Sequence, residues 1–247
     1  MTEKYGYINK KGQVVIEPAF HEAYLFVEGL ARVKDKGKYG FINKKGSYVI
    51  EPRYDRAYDF IKGLGMAVIE TADQRRSEYI DKKGKVVKDP KFKDSIIYPE
   101  GLVPIKVGDK WGYANKLTDM VIVPEFDHAF NFREGLAGVK ILGKWGYINK
   151  KGEVAIKLHF DTIFSFSEGL AAARTGNKWG YINKKGDPVI EEKFECAKSF
   201  HDGMAAVMVH GDWGYINKKG EMVIEPVFKE AADFGDGFAP VLIHKES

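Results

Sequence analysis

Short runs of apolar residues, separated by polar turns, follow one another along the whole chain. In "WGYINKKGEMVIEPVF", which starts at Trp213, an alternating aromatic run leads into a polar turn and then into a β-branched run that a proline ends. Asparagine favours the start of a turn and glycine takes the left-handed position, so "NKKG" predicts a hairpin. A third run, such as "LAGVK" from Leu136, predicts another strand. Apolar residues nowhere keep a helical period for three turns, so the pattern predicts an all-β fold.

This pattern recurs seven times, mostly at a spacing of 34 residues. An aromatic residue followed by glycine opens six of the copies, at Tyr5, Tyr39, Trp111, Trp145, Trp179 and Trp213. Ser77 and Glu78 replace that pair in the third copy, 38 residues after the second, and the extra residues fall in the polar stretch "IETADQRRSE", which predicts a longer loop. No linker separates the copies, so we expect one domain over residues 1–247, with repeat units at roughly 4–38, 39–76, 77–110, 111–144, 145–178, 179–212 and 213–247.

Three further positions recur in every copy. One of them holds only glycine: Gly29, Gly63, Gly101, Gly135, Gly169, Gly203 and Gly237. The other two hold aromatic residues, first Phe20, Tyr54, Phe92, Phe126, Phe160, Phe194 and Phe228, and then Phe26, Phe60, Tyr98, Phe132, Phe166, Phe200 and Phe234. A position restricted to glycine predicts a positive φ or a close backbone approach. One repeat has too few apolar residues for its own core, so the aromatic positions must pack on neighbouring repeats.

Two architectures suit such an array. Seven copies without polar terminal caps suit a closed propeller. However, a 34-residue repeat is short for a four-stranded blade, which usually takes about 40 residues or more, and only three strands per copy are evident. We therefore expect an open β-solenoid or superhelix of three-stranded units, and a closed seven-bladed β-propeller is the alternative.

At the level of motifs, the chain resembles a known family. The segments "KWGYINKKGEVAI" from Lys144, "EGLAGVK" from Glu134 and "WGYINKKGEMVIEPVF" resemble the WG (or KWG) β-repeat family of bacterial proteins, and the resemblance covers essentially the whole chain. It implies an extendable β-repeat array with variable repeat number, and it supplies no catalytic motif. Ser77, Glu78, Thr118 and Leu158 depart from the pattern without removing the resemblance.

Composition excludes several classes of protein. The net charge of +4 is too small to indicate nucleic acid by itself, and the single cysteine, Cys196, excludes a disulfide framework and a cysteine-based zinc site. No apolar run reaches the length of a membrane span, and the first residues do not form a secretory signal. We therefore expect a cytoplasmic protein; a chain whose leader had been removed would instead lie in the envelope or be secreted.

A search for chemistry finds no catalytic residue, metal site or cofactor site. The histidines fall at different repeat positions and show no metal-ligand spacing: His21, His128, His159, His201, His210 and His244. An acidic residue precedes the recurring glycine at Glu28, Glu100, Glu134, Glu168, Asp202 and Asp236, whereas Lys62 interrupts this series. A row of carboxylates could bind a divalent cation, but a solvated turn position is the commoner explanation.

The doubled lysine of "NKKG" is the strongest candidate for a binding surface. It occurs as Lys10–Lys11, Lys44–Lys45, Lys82–Lys83, Lys150–Lys151, Lys184–Lys185 and Lys218–Lys219, and the fourth copy has Lys116–Leu117. Aligned turns would form a basic ridge, or a basic crown in a closed ring, that engages an acidic protein, an anionic polysaccharide or phosphates. Alternatively, the lysines only keep sheet edges from pairing with other chains.

The recurring tryptophans allow a second hypothesis. A ladder of indoles can stack on sugars or bases. Tyr5 and Tyr39 replace tryptophan in two copies, as core packing would allow, so we expect mostly core or inter-repeat contacts. The leading hypothesis is a non-enzymatic scaffold that binds a macromolecule, foremost a protein, through the lysine pairs. A carbohydrate- or envelope-binding module that uses the aromatic residues is the alternative, and an enzyme with a loop-built pocket near residues 70–100 is a minor one.

Overall fold

The described residues of this computed structural model, 3–71, 74–88 and 100–243, form β-strands joined by turns and no helix. The predicted all-β class is therefore confirmed. The chain divides into two compact units. Unit 1 comprises Met1–Lys91, Gly211–Tyr215 and Met222–Ser247, and unit 2 comprises Phe92–His210 and Ile216–Glu221.

The strands follow one another closely along the chain. The first thirteen are β1 (Tyr5–Asn9), β2 (Val14–Phe20), β3 (Glu22–Val27), β4 (Leu30–Asp35), β5 (Lys38–Ile42), β6 (Tyr48–Tyr54), β7 (Arg56–Ala57), β8 (Leu64–Glu70), β9 (Arg75–Asp81), β10 (Val86–Val87), β11 (Leu102–Val107), β12 (Lys110–Asn115) and β13 (Met120–Phe126). The others are β14 (His128–Ala129), β15 (Leu136–Ile141), β16 (Lys144–Asn149), β17 (Val154–Phe160), β18 (Thr162–Ile163), β19 (Leu170–Thr175), β20 (Lys178–Asn183), β21 (Pro188–Phe194), β22 (Cys196–Ala197), β23 (Met204–Val209), β24 (Asp212–Asn217), β25 (Met222–Ala231) and β26 (Phe238–Ile243).

Antiparallel sheets of four strands are the main building block of both units. In unit 1 the strand orders are β2-β1-β26-β25, β3-β4-β5-β6 and β10-β9-β8-β7. In unit 2 they are β14-β15-β16-β17 and β18-β19-β20-β21, together with β11-β12-β13 and the pair β22-β23. Strands β14 and β15 come from repeat 111–144, whereas β16 and β17 come from repeat 145–178. Because each repeat contributes to two sheets, no repeat can bury its hydrophobic face alone.

The predicted open β-solenoid is wrong, because the first strand of the chain pairs with the last. Strand β1 is antiparallel to β26, with Tyr5 opposite Leu242. The contacts across this junction repeat those inside the array: the Tyr39 hydroxyl donates to Glu22, seventeen residues earlier, and the Tyr5 hydroxyl donates to Glu230 from the equivalent position. A sheet completed by both ends of the chain is the arrangement of a β-propeller, the alternative that the sequence left open.

The sequence pattern misses the fourth strand of each sheet because that strand is very short. In unit 2 it has two residues, as in His128–Ala129 and Thr162–Ile163, and two residues cannot show alternation. The hairpin from β15 to β16 is equally compact, since Ile141 pairs with Lys144. Four strands therefore fit into a repeat that is shorter than the usual blade.

The predicted long loop after Ile69 is mostly strand. Strand β8 extends to Glu70, which pairs with Arg75 at the start of β9. Residues 71–74 connect the two strands, and residues 72–73 lie outside the described part of the chain. The additional residues of this repeat therefore lengthen the hairpin strands as well as its turn.

The two aromatic positions form the core, as expected. Phe92 and Tyr98 lie outside the described residues, and the other members are all buried. The Tyr147 ring lies 4.8 Å from the Phe166 ring, and the Tyr147 hydroxyl donates to the Phe164 carbonyl at 2.6 Å. Tyr181 makes the same two contacts, with Phe200 and with the Lys198 carbonyl. These contacts join one sheet to the next, which confirms that the repeats complete one another's cores.

The recurring glycine is confirmed as a positive-φ position. Its φ angles lie between 78° and 90°, and no other atom would lie within 4 Å of an added Cβ. The preceding acidic residue also has a positive φ, 53° at Glu134, so the pair forms the two-residue turn of a tight hairpin. Arg133 and Leu136 close this hairpin with reciprocal backbone hydrogen bonds.

Candidate functional site

The lysine pairs lie in turns that asparagine side chains hold in place. The Asn149 Oδ1 atom accepts hydrogen bonds from the backbone N–H groups of Lys151 at 2.9 Å and Glu153 at 3.1 Å. The Gly152 N–H donates to the Asn149 carbonyl at 3.0 Å. The equivalent side-chain oxygens accept the same kind of hydrogen bond in the other turns, at Asn9, Asn43, Asp81, Asn115, Asn183 and Asn217. The hairpin predicted from "NKKG" is confirmed.

The first lysine of a pair binds the acidic residue that precedes the recurring glycine. The Glu134 carboxylate accepts a hydrogen bond from the Gly169 N–H at 3.1 Å and pairs with the Lys184 ammonium at 2.9 Å. We call this arrangement of carboxylate, N–H and ammonium the clamp. It recurs at Glu28 with Gly63 and Lys82, at Glu100 with Gly135 and Lys150, and at Glu168 with Gly203 and Lys218. Each clamp joins three consecutive repeats.

A related clamp crosses the junction of the chain ends in unit 1. Asp236 Oδ2 accepts from the Gly29 N–H at 2.6 Å, and the Lys44 ammonium donates to the Asp236 carbonyl at 2.6 Å. The last repeat is therefore held to the first two by the groups that hold repeats together elsewhere.

Three of the clamp carboxylates, those of Glu28, Glu100 and Glu168, are held ionised at neutral pH. Burial acts to raise the pKa of Glu168, but the Lys218 ammonium and the Gly203 N–H outweigh it and hold the pKa below the ordinary value. The same balance lowers the pKa of Glu28 and of Glu100. Four members of the predicted row of acidic residues, Glu28, Glu100, Glu134 and Glu168, thus form structural ion pairs. Among the described residues, no group of three or more His, Cys, Asp or Glu residues could hold a metal ion.

The second lysine of each pair is exposed: Lys11, Lys45, Lys83, Lys151, Lys185 and Lys219. Within the described part of the chain, none of these six forms an ion pair. The two lysines of a pair, which sequence reasoning treated alike, therefore have different roles. The common spacing of the acidic residues and the lysines was the signal that could have shown this.

Successive turns lie side by side within each unit. A Cβ added at Gly46 would lie 3.1 Å from the Ile16 side chain, so this turn rests on strand β2 of the preceding repeat. Gly12 meets Ile224 and Gly84 meets Ile50 in the same way. In unit 1 the exposed lysines therefore follow one another along one series of turns.

The turns of the two units differ in charge. In unit 1 the residue after the turn glycine is Gln13, Ser47 or Lys85. In unit 2 the corresponding position is acidic in every turn: Asp119, Glu153, Asp187 and Glu221. The turn Asn115–Asp119 of unit 2 also lacks the second lysine, because Leu117 stands there and is 69% exposed. The lysine turns of unit 1 therefore carry more positive charge than those of unit 2.

The tryptophans are mostly buried. Trp145, Trp179 and Trp213 are 7–8% exposed, and the Trp145 indole stacks on the Phe130 ring at 4.5 Å. Trp111, Tyr5 and Tyr39 are half-buried. The expectation of core and inter-repeat contacts is confirmed for the three buried indoles, which offer no face for stacking on sugars.

Unit 2 contains a cavity of about 490 Å³ that sequence reasoning missed. Serine hydroxyls from two consecutive repeats line it, at Ser165, Ser167 and Ser199, and His201 and Phe166 lie beside them. Ser167 Oγ donates to the Phe200 carbonyl at 2.6 Å.

Charged groups complete the lining of this cavity. They are Glu100 and Glu134, both held in clamps, and the exposed Arg133. The two carboxylates are thus fixed in place by ammonium and N–H groups behind them. The only signal in the sequence is the serine before the second aromatic position in two successive repeats.

The described residues add no evidence for a reactive cysteine or for an enzyme pocket. Cys196 is half-buried on β22. The enzyme pocket predicted near residues 70–100 lies partly outside the described residues, which leave out 72–73 and 89–99. In the described ranges, no helix is long and apolar enough to cross a membrane.

Comparisons with known proteins concern the repeat and the fold. The family profile described as "WG containing repeat" matches residues 5–39, 39–71, 79–111, 111–145, 145–179, 179–211 and 213–245. A search of curated proteins gave no match. Similar solved structures include Kluyveromyces lactis Hsv2 with its loop 6CD replaced by a Gly-Ser linker, at 11% identity over 83% of this chain and 81% of that chain with a TM-score of 0.45. A eukaryotic initiation factor matches at 9% identity over 94% of this chain and 76% of that chain, with a TM-score of 0.40. Likenesses this remote carry no argument about function.

Proposed function

The chain belongs to the WG-repeat family, and on that premise we propose that it is a non-enzymatic scaffold that binds an acidic protein surface through the exposed lysines of unit 1. The observation that carries this proposal is the division of each lysine pair. In unit 1, Lys82 neutralises the Glu28 carboxylate and Lys44 donates to the Asp236 carbonyl, whereas the second lysine of a pair presents its charge to solvent in a turn whose backbone is fixed.

The clamp changes the electrostatic balance of the turns. Free carboxylates next to the lysines would offset their field, but the Glu28 carboxylate is already paired with Lys82. Lys11 and Lys45 then contribute exposed positive charge along one series of turns, and Lys83 and Lys85 add to it beside the Asp81 carboxylate, which offsets part of their charge. A complementary acidic patch would be attracted at long range and oriented by this series.

Other partners are less well supported. The net charge of +4 is small for a protein that neutralises many phosphates. Buried indoles at Trp145, Trp179 and Trp213 remove the stacking ladder that a carbohydrate module with exposed aromatics would need. A rigid repeat surface with spaced charges suits a folded or extended acidic protein.

Two triple variants with the same charge change test the proposal. Lys11, Lys45 and Lys83 become glutamate in the first, and Lys151, Lys185 and Lys219 become glutamate in the second. Each variant and the wild type are used to capture proteins from lysate of the source cells after nuclease treatment. A captured protein is then purified and its affinity is measured at increasing salt. Thermal melting confirms that all three chains are folded.

We expect a protein that the wild type and the unit 2 variant capture and the unit 1 variant does not. Its affinity should fall as salt rises, because exposed charges are screened beyond about 10 Å at 0.1 M ionic strength. Equal capture by all three chains would contradict the proposal. The exposed lysines would then only keep sheet edges from pairing with other chains. Capture that disappears on nuclease treatment would indicate nucleic acid instead.

A further inference from the structure

The cavity of unit 2 is built by a local departure from the repeat. Ser165 and Ser199 stand immediately before the second aromatic position. Other copies carry larger residues there, namely Leu25, Asp59, Asn131 and Asp233. Two successive small residues therefore leave space where the other described repeats place a longer side chain.

A residue longer than serine at this position can reach a partner on a neighbouring repeat. In unit 1, Asp59 lies 3.5 Å from the Arg32 guanidinium, which also packs on the Tyr24 ring at 3.7 Å. In the third strand of repeats 145–178 and 179–212, alanine takes the place of that arginine, at Ala172 and Ala206. Ala172 and Ala206 are themselves fully buried and do not line the cavity, so the serines at positions 165 and 199 are the departure from the repeat that lies at the cavity.

The lining combines hydrogen-bond donors and acceptors at short intervals. Ser165 and Ser199 present hydroxyls that both donate and accept, and Arg133 presents a fork of N–H donors. Glu134 accepts from the Gly169 N–H and from Lys184, which fixes its carboxylate and leaves lone pairs for a ligand. Alternating donors and acceptors match a ligand that carries several hydroxyl groups.

The net charge of the site argues against a strongly ionic ligand. Lys150 neutralises Glu100 and Lys184 neutralises Glu134, and Arg133 adds one exposed positive charge. An apolar ligand is disfavoured because Phe166, the apolar member of the described lining, is itself 2% exposed with its ring against Tyr147. The cavity volume of about 490 Å³ lies within the range of small-molecule sites, roughly 300–1,000 Å³.

We infer that this cavity binds a neutral polyhydroxylated ligand, a mono- or disaccharide, through Ser165, Ser199, Arg133 and Glu134. The site is independent of the lysine turns of unit 1, so either proposal can fail without the other. Recognition here depends on hydrogen bonds in a cavity and not on exposed indoles.

Titration of the ¹⁵N-labelled full chain tests this inference. The probes are glucose, galactose, mannose, N-acetylglucosamine, maltose and cellobiose, with inorganic phosphate as the ionic probe. Backbone amide shifts of residues 165–167 and 199–201 report on the cavity. We expect at least one sugar to shift these amides along a saturable curve, with a Kd of about 1 mM.

Three variants make the result specific. Ser165→Leu together with Ser199→Leu fills the cavity with the residue that the first repeat carries at Leu25, and it should weaken binding by about tenfold or more. Ser47→Leu, at an exposed turn serine of unit 1, is the matched control and should bind as the wild type does. Arg133→Ala removes an exposed donor without changing packing, so it tests the site even where the double leucine variant does not fold.

Three outcomes would overturn the inference. One is the absence of any shift at these amides with every sugar up to about 100 mM, far above the expected Kd. The second is a shift with phosphate alone, which would make the cavity an anion site centred on Arg133. The third is sugar binding that persists unchanged in both the double leucine variant and Arg133→Ala, which would place the ligand elsewhere.

Discussion

Two recurring glycines of unit 2, Gly146 and Gly135, are required for different physical reasons; the Gly135 position is glycine in all seven copies, and the Gly146 position in all but the third, which has Glu78. Gly146 follows Trp145 on β16, and an added Cβ would lie 2.6 Å from the Ile156 carbonyl oxygen and 2.8 Å from the backbone of Leu158. Gly135 has a φ of 86° and open space around its Cβ position. The first glycine is required for space between two strands, and the second for a left-handed conformation.

The difference teaches that the recurrence of glycine at a repeat position does not identify its physical cause. A left-handed position tolerates other residues at moderate cost, as Glu134 with φ 53° and Thr118 with φ 67° show. A backbone approach of 2.6 Å tolerates no side chain without movement of the strand. Substitutions at the two positions should therefore have unequal effects.

The largest effect is expected for Gly146→Ala. The new methyl group would collide with backbone atoms of β17, which cannot rotate away, so the β16–β17 pairing must shift. We expect a loss of about 3 kcal/mol in the free energy of unfolding, measured by chemical denaturation. A loss below that of Gly135→Ala would show that the strands can separate at little cost and would remove the distinction.

Gly135→Ala should have a smaller effect. Alanine in the left-handed region costs about 1–2 kcal/mol, and no atom opposes its methyl group. The Gly135 N–H donates to Glu100 at 3.1 Å, and alanine keeps this donor. The free energy of unfolding is measured by denaturation under the same conditions as for Gly146→Ala. As a control, D-alanine introduced at position 135 by chemical ligation should recover the wild-type stability.

The smallest effect on stability is expected for Glu168→Gln. This substitution tests what the acidic residue before the recurring glycine contributes. Glutamine keeps the acceptor for the Gly203 N–H but loses the charge that faces Lys218 at 2.9 Å. Partly exposed ion pairs contribute little, so we expect a loss of about 0.5 kcal/mol at pH 7.

The effect of Glu168→Gln should also depend on pH. Because the folded-state pKa of Glu168 is lowered from 4.5, its charge stabilises the fold above that value and loses this contribution as the pH falls through the folded pKa. The difference between wild type and variant should therefore vanish in acid. A difference that stays constant from pH 7 to pH 3 would show that the clamp acts through packing alone.

The local structure of each repeat could be predicted from the sequence, because it depends on neighbouring residues. The alternation in "WGYIN" and the Asn–Gly chemistry of the turn are short-range signals, and both elements are present. The two-residue strands such as Thr162–Ile163 gave no signal, since their backbone pairing depends on β19.

Whether the array of repeats is open or closed could not be predicted in the same way. Each repeat contacts the next through the same groups, whether the array is open or closed, so the repeat pattern alone does not distinguish the two. The contacts across the junction of the chain ends decide between them: the pairing of β1 with β26, the bond from Tyr5 to Glu230 and the clamp of Asp236 on Gly29. The repeat length led to the wrong choice because the fourth strand uses so few residues.

The candidate sites were predicted only in part. The exposure of Lys45 and its equivalents follows from turn chemistry, but the binding of Lys184 by Glu134 joins residues fifty positions apart in the chain. The cavity depends on which side chains are absent, and Ser165 or Ser199 alone carries no such information. Both features require the three-dimensional neighbours of each repeat.

The pairing of β1 with β26 also has a consequence for synthesis of the chain. Strand β1 leaves the ribosome first and its partner last, so the sheet β2-β1-β26-β25 cannot form during translation. The logarithmic law of loop closure puts the entropic cost of joining positions so far apart at about 5 kcal/mol. Until the last repeat is made, the nascent protein exposes an unpaired edge of β1, which is the stage at which a chaperone would protect it from aggregation.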